Sequence, residues 1–155
     1  MPTRVTSISD GQTRSVTTNY SNNGNSAGGD GYFVYRITND LGHTVTSKTD
    51  PKHGQAKQVI DANGLITRNH YDFFGRIEKV TPPNGTGQPA FSRFANCRNG
   101  CGEVTGGIAN NLAYKVTTYT AGAPQSTVYK DKFNRVLLTK TQGFDGSPIY
   151  QHATF

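Results

Sequence analysis

The sequence predicts an all-β protein, an antiparallel meander of short strands joined by tight turns. Three observations predict it. Residues that favour strands and turns dominate: twenty threonines, ten valines and 18 glycines stand against one methionine and no tryptophan. Turn signatures recur at a steady interval, with Asp40, Asp50, Asp61 and Asp72 ten or eleven residues apart. The stretches between them are of strand length and rich in β-branched side chains.

Taken in order, residues 1–31 read as N-terminal strands and a Gly/Asn-rich loop that closes on 24-GNSAGGDG-31. Residues 32–85 read as the repeat region. Phe33, Tyr35 and Ile37 alternate at period two, and the turns follow as Asp40-Leu-Gly42, Asp50-Pro-Lys-His-Gly54, Asp61-Ala-Asn-Gly64, Asp72-Phe-Phe-Gly75 and Pro82-Pro-Asn-Gly85. Strands are predicted between them over 44–49, 55–60, 65–71 and 76–81. Residues 86–113 read as a Pro/Gly-rich insertion holding both cysteines, and 114–155 as further strands over 114–120, 126–130 and 135–141. The four regions are expected to form one structural unit without helix.

Each turn has a physical logic. An aspartate in the first turn position can accept hydrogen bonds from backbone N–H groups two or three residues on, and the glycine supplies the positive φ that closes the turn. Tyr71, Phe73 and Arg76 then stand where a ring and a guanidinium can stack or reach a neighbouring strand's carbonyl. On this reading Arg76 lies against the neighbouring repeat, and Arg135 repeats the arrangement.

The stretch 71-YDFFGRIEKVTPPNG-85 resembles the YD repeat of the RHS family, whose form is Tyr-Asp-x-x-Gly-Arg-Leu followed by a strand and a Pro-Asn-Gly-like turn. Tyr71, Asp72, Gly75, Arg76 and Ile77 match directly. In the looser copy 129-YKDKFNRVLLTKT-141, Tyr129, Asp131 and Arg135 match, with an extra residue between Tyr and Asp and with Asn134 in place of the glycine. The segments holding Asp40 and Gly42, Asp50 and Gly54, and Asp61 and Gly64 resemble half units. The first 30 residues and 86–126 match poorly.

The resemblance implies a segment of a larger spiralling β-sheet that closes into a hollow shell and encapsulates or presents a toxin or effector segment. The partners it implies are the remainder of a parent RHS protein and its enclosed toxin, in a secreted or cell-surface bacterial setting with the export signal outside this chain. The family's self-cleaving Asp-Pro-x-Gly-Leu motif is not matched, since Asp50-Pro51 runs into Lys-His-Gly. The end at 149-IYQHATF-155 places an aromatic where Tyr71 stands after 66-ITRNH-70, as if another unit were to open. That reads as a piece of a longer chain, with open sheet edges through which it self-associates.

Strand polarity favours a wall on independent grounds. In 44-TVTSKT-49, 55-QAKQVI-60 and 114-YKVTTYT-120 both alternate faces carry Thr, Lys or Gln, whereas a sandwich strand shows one apolar face. Apolar residues such as Val136 and Leu138 would make local contacts between strands. A small sandwich with weak patterning is the alternative fold.

Composition bounds the function. The net charge of +6 comes from sixteen Lys and Arg that never form a run, a diffuse bias rather than a nucleic-acid footprint. No stretch is long and apolar enough to span a membrane as a helix, and the N-terminus lacks the apolar segment of a signal peptide. Cys97 and Cys101 flank Arg-Asn-Gly, which admits a disulfide, two reduced thiols or half of a zinc site. The glycine cluster lacks the lysine of a phosphate loop, and no hydrolase, zinc-protease or Cys-His pattern occurs. A non-enzymatic protein without cofactor or metal is expected. The second reading, favoured by eight tyrosines and the basic balance, is a surface module that binds glycans or other anionic polymers.

Overall fold

The computed structural model describes residues 3–9, 12–21, 31–84, 86–97, 101, 104 and 109–153. The protein is all-β, with twelve strands in chain order and, among the described residues, no α-helix. A 3-10 turn spans Ala109–Asn111. The chain divides into two compact units, residues 1–87 and 88–155.

In the first unit, β1 (Thr3–Ser9), β2 (Gln12–Ser21), β3 (Phe33–Asn39), β4 (Thr44–Asp50), β5 (Gln55–Ile60), β6 (Ile66–Tyr71) and β7 (Ile77–Thr81) form a meander in which each strand pairs antiparallel with the one before it. The second unit repeats the plan with β8 (Ala90–Asn96), β9 (Tyr114–Thr120), β10 (Ser126–Lys130), β11 (Val136–Gln142) and β12 (Pro148–His152). The strands expected between the aspartate turns are present to within a residue at each end. Two others fall where none was assigned. Ala90–Asn96 lies in the segment read as an insertion, and Pro148–His152 follows a turn whose aspartate is not in first position. The cluster 24–30, Gly85 and the Arg-Asn-Gly between the cysteines lie outside the described residues.

Packing follows from the polarity of the strands. Among the described residues of the first unit no hydrophobic side chain is buried, and the two buried ones are Ser21 and Thr49. With no fully buried apolar side chain among its described residues, this unit relies on its backbone ladders and turns. The second unit has a small core. Tyr129 and Leu138, opposed in register on β10 and β11, are 0% and 2% exposed. Cys97 and Leu112 complete it, with Cys101, Val104 and Leu137 packed against it. The connection between β8 and β9 is held to the sheet by Cys97 N–H donating to Ala113 O at 2.9 Å and Ala113 N–H to Lys130 O at 2.8 Å.

Candidate functional site

The turns are built alike. In residues 72–76, Asp72 Oδ1 accepts from the backbone N–H groups of Phe74 and Arg76, each at 2.9 Å. Gly75 N–H donates to Asp72 O at 3.0 Å and Asp72 N–H to Arg76 O at 2.9 Å. One carboxylate oxygen thus satisfies two donors that the tight turn would otherwise leave open. Gly75 closes the loop at φ +80°, and a Cβ there would also meet the His53 ring at 3.0 Å. Asp61 and Gly64 repeat the pattern, with Asp61 Oδ1 accepting from Asn63 and Leu65 at 2.9 Å each. In the five-residue turn at Asp50, Gly54 N–H donates to Asp50 O at 2.8 Å with φ +69°.

The copy at 131–135 is built to the same dimensions. Phe133 and Arg135 donate to Asp131 Oδ1 at 2.9 Å each, and Asn134 takes the glycine's place at φ +67°. Asparagine is the side chain that tolerates this region best after glycine.

Two sequence assignments need correction. The first-position acceptor of the Gly42 turn is Asn39: its Oδ1 accepts from Leu41 at 3.1 Å and His43 at 2.9 Å. Asp40 stands one residue later and reaches instead to the backbone N–H and hydroxyl of Ser15 on β2. Tyr129 is not the counterpart of Tyr71. Register pairs Tyr71 with Ile77 and Lys130 with Val136, so Lys130 holds the Tyr71 position, and the extra residue turns Tyr129 to the opposite face. Arg76 has partners within its own turn. Its Nε and Nη2 both donate to Asp72 Oδ2 at 2.7 Å, and its guanidinium lies 5.2 Å from the Phe74 ring, all within one turn. Arg135 repeats this with Asp131 at 2.7 Å and Phe133 at 5.3 Å.

Tyr71 and Asn69 both reach across to β5, the Tyr71 hydroxyl donating to Ala56 O at 2.7 Å and Asn69 Nδ2 to the same oxygen at 2.9 Å. The meander also places the turns at 50–54 and 72–76 side by side at one end of the first unit. His53 Nδ1 stands 3.1 Å from Asp50 Oδ2 and its Nε2 3.1 Å from Phe73 O. Both partners accept, so both contacts are complete when both ring nitrogens carry hydrogen. Gln55 Nε2 donates to Gly75 O at 2.8 Å. Lys52 Nζ lies 4.0 Å from the Phe73 ring centroid, and Phe73 and Phe74 meet edge to face at 5.6 Å. This end therefore shows solvent two large aromatic rings, 76% and 77% exposed, beside a lysine and a guanidinium.

The carboxylates respond to these bonds. Burial pushes the Asp72 carboxyl up, but the backbone and guanidinium N–H groups of Arg76 and the Phe74 N–H outweigh it and hold the group below its usual range. Asp131 is held down in the same balance. Asp50 is lowered by the Lys52 backbone N–H and by His53.

Sequence reasoning missed one turn of the set. At 143–147, Gly143 takes the first position, and Asp145, in the third, accepts at 2.9 Å from the Ser147 N–H. A Cβ at Gly143 would fall 2.9 Å from Asp145 Oδ1, so the carboxylate occupies the room of a first-position side chain. Cys97 and Cys101 are joined, with Cα atoms 4.4 Å apart, beside the buried Tyr129 cluster. Among the described residues no three His, Cys, Asp or Glu side chains gather as a metal site. Compared with known proteins, the chain matches no family model and no curated protein.

Proposed function

We propose that the chain is a non-catalytic structural segment, a stretch of wall in a repeat-built β-shell of the RHS type that encloses or presents a toxin or effector segment. The observation that carries this reading is the stitching of one turn to the next but one on the same end of the sheet, His53 to Phe73 O and Gln55 to Gly75 O. Such bonds fix the pitch of successive hairpins without an apolar layer, which a wall wetted on both faces requires. The self-closed turns at Asp61, Asp72 and Asp131 support it, as does the lack of buried hydrophobic side chains among the described residues of the first unit. The disulfide suits an exported setting. Limited proteolysis of the full-length polypeptide that carries these repeats tests the proposal. A wall leaves an internal segment protected, and that segment becomes cleavable when residues 66–81 are deleted. Cleavage at the same rate with and without the deletion would overturn the reading.

A second reading, a surface module for glycans or anionic polymers, is favoured by the exposed Phe73 and Phe74 beside Lys52 and Arg76. Retention on a heparin column that falls on Phe73→Ala and Lys52→Ala, with the melting temperature unchanged, would support it over the wall.

A further inference from the structure

We propose that one face of the second unit carries a binding site for a tetrahedral oxyanion, the phosphate or sulfate group of a small ligand. The register builds it. Arg93 pairs with Thr117, Thr117 with Thr127, Thr127 with Lys140 and Lys140 with Tyr150, so five strands contribute one straight row of side chains to one face. In the adjoining row Lys115 pairs with Tyr129. Side chains two apart on a strand share a face, which brings Lys115, Thr117 and Tyr119 to the same side. Arg93, Lys115, Thr117, Tyr119, Thr127 and Lys140 accordingly line one cleft of about 260 Å³.

The chemistry of the cleft suits a multiply charged anion. Neighbouring strands lie about 4.8 Å apart, so the Arg93 and Lys140 backbones, three strands apart, stand roughly 14 Å from each other. Their long side chains can close over the two threonines between them. The Thr117 and Thr127 hydroxyls are hydrogen-bonded to each other at 3.1 Å. One hydroxyl hydrogen is used in that bond, and the other remains to donate outward. Thr127 is only 5% exposed, so the floor of the cleft is polar and buried. A guanidinium, two ammonium groups and a hydroxyl donor are complementary to the several oxygens of a tetrahedral anion. Among the described residues no acidic side chain lines the cleft. The charge is also concentrated here: residues 88–155 hold seven Lys and Arg against three Asp and Glu, leaving +4 of the chain's +6. The aromatic rings bound the site. Phe91 and Tyr119 stack at 4.8 Å, and Lys115 and Lys140 lie 5.9 and 6.0 Å from the Tyr129 and Tyr150 rings. The site does not rest on the wall reading.

The experiment titrates the folded chain with inorganic phosphate and with inorganic sulfate at fixed ionic strength, following backbone amide chemical shifts, with sodium acetate as the planar control. Saturable shifts are expected at Arg93, Thr117, Thr127 and Lys140, with acetate much weaker. Arg93→Gln and Lys140→Gln should each weaken binding roughly tenfold, as loss of one charge-assisted contact does. Arg93 is exposed, so its variant keeps the fold if Lys140→Gln does not. Lys132→Gln, an exposed turn lysine outside the cleft, should leave binding unchanged. Tighter phosphate points to a phosphate ester as the physiological group, and tighter sulfate to a sulfate ester. Shifts that never saturate, or that fall equally in Lys132→Gln, would reduce the effect to charge screening and overturn the site.

Discussion

Arg76 donates from both Nε and Nη2 to a single oxygen of Asp72, Oδ2, each at 2.7 Å, while the other oxygen of that carboxylate holds the turn's own backbone. The pair divides its labour: Asp72 closes the loop, and Arg76 orients Asp72.

That division predicts unequal variants. Arg76 is 42% exposed at its side chain, so its ion pair is screened by water. Arg76→Ala is expected to cost about 1 kcal/mol or less, as for exposed pairs. Asp72→Ala leaves two backbone donors without their acceptor and should lower the melting temperature further than Arg76→Ala. Lysine at 76 should recover part of the loss, since an ammonium lacks the planar fork. Thermal denaturation of the three variants checks the order, and Arg76→Ala falling below Asp72→Ala would refute it.

The glycines separate strain from crowding. Gly64 and Gly75 share a φ near +80°, but a Cβ at Gly64 meets nothing within 4 Å, whereas one at Gly75 meets the His53 ring at 3.0 Å. Gly64→Ala should cost about 1–2 kcal/mol, the left-handed penalty alone. Gly75→Ala should cost more and should also disturb the His53 contact to Phe73. Equal losses in urea denaturation would show that the two turns are not stitched together there.

Acid should unfold the protein through its turn carboxylates. Asp50, Asp72 and Asp131 are held below their ordinary range in the fold, so near their folded values the unfolded chain binds more protons. Their contribution is complete above the unfolded carboxylate value of about 4 and is lost as pH falls through the lower folded values. A melting temperature that falls as the pH drops below that point is expected. A rise below that point would contradict the bonds assigned to these carboxylates.

Much of this was legible in the sequence because turn chemistry is local. An aspartate, two variable residues and a glycine fix a loop within five positions, so the loops at Asp61 and Asp72 and the strands flanking them could be read directly. The misplacements arose where the same job is done by other atoms. Asn39 accepts the bonds assigned to Asp40, and Asp145 works from the third position over Gly143. The face of Tyr129 depends on a register shift beside Lys130, and a one-residue slip inverts a strand without altering its composition. The meeting of His53 with Phe73 spans two hairpins and follows only once the meander's order is known.

Tyr71 and Tyr129, which both match the repeat in sequence, should behave differently. Tyr129→Ala empties a fully buried site and is expected to cost about 3–5 kcal/mol in the second unit. Tyr71→Phe removes one hydrogen bond to Ala56 O and should cost about 1 kcal/mol in the first. Urea unfolding followed by amide resonances of each unit distinguishes them, and similar losses would return Tyr129 to the Tyr71 role.

The wall reading is tested most directly at the edge strand β12. Ala153 N–H donates to Leu137 O and Gly143 N–H to Ser147 O. By the alternation of an antiparallel ladder, Pro148, Tyr150 and His152 then turn their backbone nitrogens away from β11. A stretch of wall presents such a row to the next strand, and the isolated chain presents it to another copy. Sedimentation velocity over a wide concentration range should show association that Tyr150→Pro suppresses, because proline removes an outward N–H without breaking the pairing to β11. A chain that sediments as a monomer at every concentration, with or without the proline, would contradict the wall and favour a self-contained binding module.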